Sequence, residues 1–192
     1  MTSLLQELQR EASDPEVRVE DLLRNAVEVA TTLGSEGFRL WAAKELQGYA
    51  GETTTPDYRR VSGVLRARHP QRGWVRVILP DEELQKRLES KVAREPISEL
   101  EDLYNDPAND DPLEMESGPT GEHRSLEDLS SLAPMPYDWL MRTFGDTREY
   151  QPGTIPTVVI SRPAIKGILE AVRSEVLRWS RALEEQGISA KD

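Results

Sequence analysis

Apolar residues recur along this chain with two different periods, and the change of period divides it. Leu4, Leu5, Leu8 and Ala12 repeat at helical spacing and stop near Ser13-Asp14-Pro15, where Pro15 disfavours helix at Asp14. A second helix is predicted to start near Glu20 or Asp21. Its set Leu22, Leu23, Ala26, Val27, Val29, Ala30 and Leu33 is broad enough to be buried on more than one side, with Gly34 as the stop. Ser35 is placed to cap a third helix directly, in which Phe38, Trp41, Ala42, Glu45, Leu46 and Tyr49 share one face with a single carboxylate among them. A link this short folds the second and third helices back as an antiparallel pair.

Beyond Gly48, Gly51 and Pro56 the pattern alternates. Val61, Gly63, Leu65, Ala67 and His69 take one side of a strand, and Arg60, Ser62, Val64, Arg66 and Arg68 the other. The return strand sets Val75, Val77 and Leu79 against Trp74, Arg76 and Ile78. A three-residue loop Gln71-Arg72-Gly73, with Gly73 left-handed, pairs Pro70 with Trp74 and puts both apolar sets on one face. A two-residue slip keeps that agreement, whereas a one-residue slip destroys it.

Pro80-Asp81 ends the strand and opens an acidic stretch with Leu84 and Leu88, then Ile97, Leu100 and Leu103 behind Pro96, which predict short amphipathic helices. From Asn105 to Pro136 the composition turns to Asp, Pro, Gly and Ser, too polar to offset an ordering cost of about 1 to 2 kcal/mol per residue. That segment is expected to be a mobile acidic loop. Tyr137, Trp139, Leu140 and Phe144 predict a further helix, and Ile155, Val158, Val159 and Ile160 a third strand able to extend the hairpin. The strongest helical pattern follows, with Pro163 in its first turn and Gly187 as its stop. Ile165, Leu169, Val172, Val176, Trp179 and Leu183 are spaced four and three alternately, widened by Ile168 and Leu177, over a helix roughly 36 Å long.

The fold class expected is therefore α+β and mainly helical: an N-terminal helical hairpin, a small antiparallel β-hairpin or sheet, and a long C-terminal helix. Residues 1–192 are expected to form one domain with an acidic mobile insertion at about 105–136.

Charge sharpens this picture. The net charge is -11, yet residues 1–80 carry 11 acids and 11 bases and residues 131–192 carry 8 and 8, so the excess lies wholly in residues 81–130 with 16 and 5. Two balanced parts joined by an acidic segment do not make a generally nucleic-acid-mimicking chain. The sequence has no cysteine, so disulfides, thiolate metal sites and a Cys nucleophile are excluded. No stretch approaches the roughly 18 apolar residues of a membrane helix, and the N-terminus lacks a signal pattern; a cytoplasmic location without membrane association is the expectation.

Three groups of residues then combine into a resemblance. They are Leu4-Leu5-x-x-Leu8 with Ala12-Ser13-Asp14; the run from Leu22-Leu23-Arg24-x-Ala26 through Ala30, Leu33 and Trp41 to Glu45-Leu46-x-Gly48-Tyr49 and Pro56-Asp57-Tyr58-Arg59; and Trp179-x-x-x-Leu183-Glu184 with Gly187-Ile188. Together they resemble the AbiTii-type domain of bacterial abortive-infection proteins, over nearly the whole chain. The resemblance implies a setting in defence against phage, in a module found alone or at the start of longer proteins, and it brings no catalytic motif with it.

The remaining chemistry is sparse. His69 and His123 lie far apart, and the run Asn105-Asp106-x-x-Asn109-Asp110-Asp111 lacks the glycine and terminal glutamate of a calcium loop. No phosphate-cradling loop, nucleophile elbow or dinucleotide fingerprint is present. Neither a metal, a cofactor nor a catalytic residue is assigned. Pro80-Asp81 with Glu89-x-Lys91 resembles fragments of a metal-dependent nuclease signature, but the second part falls on a predicted helix. Six arginines and no acid lie between Tyr58 and Pro80. Arg60, Arg66, Arg68 and Arg76 beside Trp74 suit nucleic acid; the alternative is an edge hairpin kept soluble by charge or covered by the acidic loop.

The expectation is a non-enzymatic interaction or assembly module, with a nucleic-acid-binding component or nuclease as the rival. Its partners are expected to be a second copy, through Val172, Val176, Trp179 and Leu183 of the C-terminal helix, or a defence effector protein. The reading preferred for the same stripe is core, as the helix on which the hairpin and the first two helices pack.

Overall fold

The computed structural model describes residues 3–52, 54–69, 73–79, 81–106, 113–115 and 157–187. It is mainly helical, with a small antiparallel sheet and a long C-terminal helix, as the periodicity predicts. The chain divides into two compact units. One comprises Met1–Arg59, Ala93–Asn109 and Ile165–Asp192, and the other Arg60–Val92 and Asp110–Ala164.

The first unit opens with helix α1 (Leu4–Ser13), whose N-terminus is closed by a capping box: Gln6 N donates to Ser3 Oγ at 3.2 Å and Ser3 N to Gln6 Oε1 at 3.3 Å. Helices α2 (Val19–Thr32) and α3 (Glu36–Gln47) form the expected antiparallel pair. Gly34, at φ 70°, ends α2 in a Schellman motif, with Ser35 N donating to Ala30 O at 2.8 Å and Gly34 N to Thr31 O at 3.2 Å. Ser35 occupies the N-cap position of α3, but its side chain makes no capping bond, in contrast to expectation. Helix α5 (Ile97–Asn105) buries Ile97 and Leu100 beside this pair. Leu22, Leu23, Ala26, Ala30, Phe38 and Ala42 are sealed from solvent, each large aliphatic side chain among them contributing about 1.5–3 kcal/mol.

Helix α6 (Arg162–Glu185) carries the long apolar stripe, and Gly187 follows it at φ 68°. Ile165, Ile168, Leu169, Val172, Val176 and Leu183 are all buried, whereas Leu177 is half-exposed and does not widen the stripe as expected.

In the second unit the strand expected over 60–69 is broken at Gly63. Strand β1 (Arg60–Ser62) pairs with β4 (Ser90–Val92), while β2 (Val64–His69) enters a separate four-stranded sheet with β3 (Gly73–Arg76), β5 (Leu113–Met115) and β6 (Thr157–Ile160), in the order β3-β2-β6-β5. Only glycine fits at the break: a Cβ on Gly63 would lie 2.5 Å from Val158 Cγ1 and 2.6 Å from the Val159 carbonyl oxygen. Strand β3 (Gly73–Arg76) pairs antiparallel with β2, joining Arg66 to Arg76, Ala67 to Val75, Arg68 to Trp74 and His69 to Gly73. The register therefore differs by two from that expected, and the loop residues Gln71 and Arg72 lie outside the described residues. Parity is preserved, and Gly73 is left-handed at φ 67°.

Strand β6 (Thr157–Ile160) supplies the third strand and lies beside β2. Strand β5 (Leu113–Met115) pairs with β6, which corrects those three residues of the segment expected to be loop. The rest of that segment beyond Asp106, and the helix expected at Tyr137–Phe144, lie outside the described residues. Leu65, Ala67, Val77, Leu79 and Val158 form the inner core of this unit with Leu84 of helix α4 (Glu82–Glu89).

Candidate functional site

The densest polar chemistry among the described residues is built on Glu45, in the last turns of α3. The helix presents Glu45 inward beside Ala42 and Phe38, with no exposed surface. A carboxylate placed there without partners is costly, and this one has four donors. Oε1 accepts from the Tyr49 and Tyr58 hydroxyls, each at 2.6 Å, and Oε2 accepts from Arg59 Nε at 3.0 Å and Nη2 at 2.6 Å. Arg59 is equally enclosed. Its Nη1 donates to the carbonyls of Ala93 at 3.0 Å and Glu95 at 2.7 Å, and its Cζ lies 4.8 Å from the centre of the Tyr49 ring.

The local backbone explains the convergence. Gly48 turns the chain out of α3 at φ 79°, so close to the Arg94–Pro96 segment that a Cβ would lie 2.7 Å from Arg94 O. Tyr49 N donates to that same oxygen at 2.7 Å. A 3-10 turn over Asp57–Arg59 then brings Tyr58 and Arg59 back onto the helix. Trp41 Nε1 donates to the Tyr58 hydroxyl at 3.0 Å, and Trp41, Phe38 and Trp179 form a stacked aromatic row. Burial, followed by the bond to Glu45, pushes the Tyr49 phenol well above its ordinary range; burial, followed by the charge of Glu45, does the same for Tyr58. Both are therefore neutral donors, and neither is poised to give up its proton. Arg59 is also where the chain leaves the first unit, and it grips the carbonyls of the segment that returns.

Two further buried charges escape sequence reasoning. Glu101 of α5 accepts from Val19 N at 2.7 Å and Glu20 N at 3.3 Å, capping α2 where Arg18, at the N-cap, supplies no side-chain capping bond. Arg173 of α6 donates to the carbonyls of Asp14 and Val17 in the α1–α2 link.

The basic hairpin is only partly assembled as expected. Arg66 and Arg76 are direct neighbours across β2 and β3, Arg68 holds the position opposite Trp74, and all four positions lie on the sheet face away from Leu65, Ala67 and Val77. Arg76 is exposed and Trp74 and Arg66 are half-exposed. Arg60 does not join them; it lies exposed on β1, in the two-stranded ladder. Asp81 and Glu89 are taken up by structure. Asp81 Oδ1 caps α4 through Glu83 N and Leu84 N, both at 2.9 Å, while Glu89 Oε1 accepts from Leu65 N at 3.3 Å and Gln85 Nε2 at 2.6 Å. Among the described residues no three His, Cys, Asp or Glu side chains gather as a metal set, and no helix is long and apolar enough to cross a membrane.

On α6, Val172, Val176 and Leu183 are closed into the core of their own unit, and Trp179 stacks on Phe38 at 5.5 Å between ring centres. The outward side of the helix carries instead Ser174, Leu177, Arg178, Arg181, Ala182 and Glu185 around an open depression of about 450 Å³.

A family model described as AbiTii matches residues 3–192. No curated protein and no solved structure matches the chain.

Proposed function

The chain belongs to the AbiTii family, which places it in abortive infection and phage defence, and from that premise we propose that it acts there as a non-enzymatic interaction and assembly module. The observation that carries this reading is the closure of the Glu45 cluster. An acid or base at work needs a free lone pair or a proton near its transfer point. Here both carboxylate oxygens are filled by donors from the chain itself, and the two phenols are held protonated. The cluster ties α3 to the exit of the first unit, and among the described residues what remains for function is surface.

For self-association, the inner stripe of α6 is already occupied, so the contact proposed is its outward line around Leu177, Arg178, Arg181 and Ala182. Arg181 and Glu185 on one copy offer opposite charges to the same pair on another, as a two-fold contact requires.

Plaquing efficiency in a host carrying the full chain, measured beside the melting temperature of the purified protein, tests the proposal. Tyr58→Phe is expected to lower the melting temperature and to keep full protection at a growth temperature where the variant stays folded. A variant folded like the parent but without protection would show that the cluster does chemistry, and would overturn the reading.

A further inference from the structure

We propose that the outer face of the β2–β3 hairpin binds single-stranded nucleic acid, with Arg66 and Arg76 on the phosphates and Trp74 against a base. This goes beyond the protein-contact reading and does not rest on it.

The register places Arg66 directly opposite Arg76. Residues so placed have Cβ atoms about 4.5–5.5 Å apart, and a like-charged pair at that spacing opposes strand pairing. Neither guanidinium has a carboxylate partner among the described residues. Successive phosphodiesters, one on each guanidinium, replace mutual repulsion by charge-assisted hydrogen bonds of the geometry guanidinium favours.

Trp74 lies on the same face, two residues from Arg76 and so about 7 Å along the strand, which leaves room for one base beside one phosphate. Ile78 continues that side of the chain with 58% of its surface exposed, adding an apolar step next to the arginine. Arginines flanking a half-exposed indole on a sheet face are the elements from which single-strand platforms are made. A duplex offers the phosphates but hides its base faces from Trp74. An acidic peptide satisfies the arginines but leaves the indole without a stacking partner. The chain as a whole carries -11, so the attraction is confined to this patch rather than spread over the molecule.

The experiment is fluorescence anisotropy on the full chain with labelled oligothymidylate of about 20 nucleotides, and with a duplex and a polyglutamate peptide of similar charge. Two phosphate contacts at about 0.7 each predict that affinity for the oligothymidylate falls roughly sevenfold between about 50 and about 200 mM salt. Arg76→Ala is expected to weaken binding and flatten the log–log slope by about 0.7. Trp74→Ala is expected to weaken it roughly tenfold with the slope unchanged. Circular dichroism checks that each variant is folded; should Trp74→Ala disturb the sheet, Trp74→Phe keeps a ring and is expected to show a smaller loss in the same direction. The proposal is overturned if the oligothymidylate does not bind at the lower salt, if binding ignores both substitutions, or if the duplex or polyglutamate binds as tightly. None of those results touches the protein-contact reading, which is tested by plaquing and by mass in solution.

Discussion

Glu45 Oε2 accepts two hydrogen bonds from Arg59, at 3.0 and 2.6 Å, between side chains that have no exposed surface. Breaking a buried pair from one side leaves a desolvated charge behind, which costs about 3–5 kcal/mol, whereas replacing both members by apolar groups costs far less. Glu45→Ala is accordingly expected to lower stability by about that amount, and Glu45→Leu combined with Arg59→Met to recover a large part of the loss. Urea unfolding midpoints at an unchanged slope provide the comparison. Recovery is expected to be incomplete, because Arg59 also satisfies the carbonyls of Ala93 and Glu95.

The two tyrosines on Oε1 give the molecule an alkaline limit. Their folded-state pKa values are raised, by burial first and then by Glu45, above the value of about 10 that tyrosine has in an unfolded chain. Below about pH 10 both states are protonated and the full stability is present; above it the unfolded chain releases protons that the folded one retains, so stability falls with rising pH. Each retained proton contributes about 1.4 kcal/mol per pH unit to that fall. Tyr49→Phe or Tyr58→Phe is expected to halve the slope of urea midpoint against pH in this range. A slope that neither substitution changes would remove the phenols from the explanation.

At neutral pH the same substitutions differ. Tyr49→Phe removes one donor to a carboxylate, worth about 1.5–3 kcal/mol, but Tyr58→Phe also strips Trp41 Nε1 of its acceptor. Tyr58→Phe is expected to be the more destabilising, and Tyr58→Phe in a Trp41→Phe background to match Tyr49→Phe. Thermal unfolding of the four proteins decides it.

Much of this architecture is legible in the sequence because its signals are local. Helical spacing finds α1, α2, α3 and α6, and Gly34, Gly48 and Gly187 mark the ends of the last three, each at positive φ. Alternation finds the hairpin and its inner face. It does not fix the register, since parity survives a two-residue shift, and it does not reveal the break at Gly63, where the close neighbours are Val158 and Val159 nearly a hundred residues away. Glu45 is legible as the single carboxylate on an apolar helix face, but not as the meeting point of two phenols and Arg59. Glu101 and Arg173 carry no local signal, because the groups they satisfy lie 82 and 159 residues distant in the chain. A four-three stripe looks alike whether it meets its own unit or another copy, so the sequence left Val172 and Val176 open between core and interface.

The glycines separate steric from conformational need. Gly34 and Gly48 both have positive φ, but a Cβ on Gly34 meets nothing within 4 Å, while one on Gly48 meets Arg94 O at 2.7 Å and Pro96 N at 2.8 Å. Gly34→Ala is expected to cost about 1 kcal/mol, the conformational part alone, and Gly48→Ala clearly more, since backbone atoms must move. Gly63→Ala isolates the steric part, and its loss is expected in the sheet unit. Hydrogen exchange localises each effect: Gly48→Ala should loosen Tyr49 and the Arg94–Pro96 segment, and Gly63→Ala the β2–β6 ladder. Equal costs at Gly34 and Gly48 would mean that the contact with Arg94 is not what selects glycine.

Trp179 separates the two roles open to α6. Its ring stacks on Phe38 at 5.5 Å and 14°, its Cη2 would lie 3.4 Å from a Cβ on Gly37, and its Nε1 makes no hydrogen bond among the described residues. Trp179→Ala should therefore open a void against α3 and cost about 2–3 kcal/mol, below the range for a fully buried indole. Trp179→Phe should cost much less, because it preserves the stack and no bond is lost with the indole nitrogen. Neither change is expected to alter particle mass by light scattering, since the residue faces its own unit. Leu177→Glu, on the outward side, is expected to do the reverse, reducing the mass of any assembly with little effect on the urea midpoint. If Trp179→Ala instead reduced the mass while leaving the midpoint in place, the stripe would be an interface and its assignment to the core of the first unit would fail.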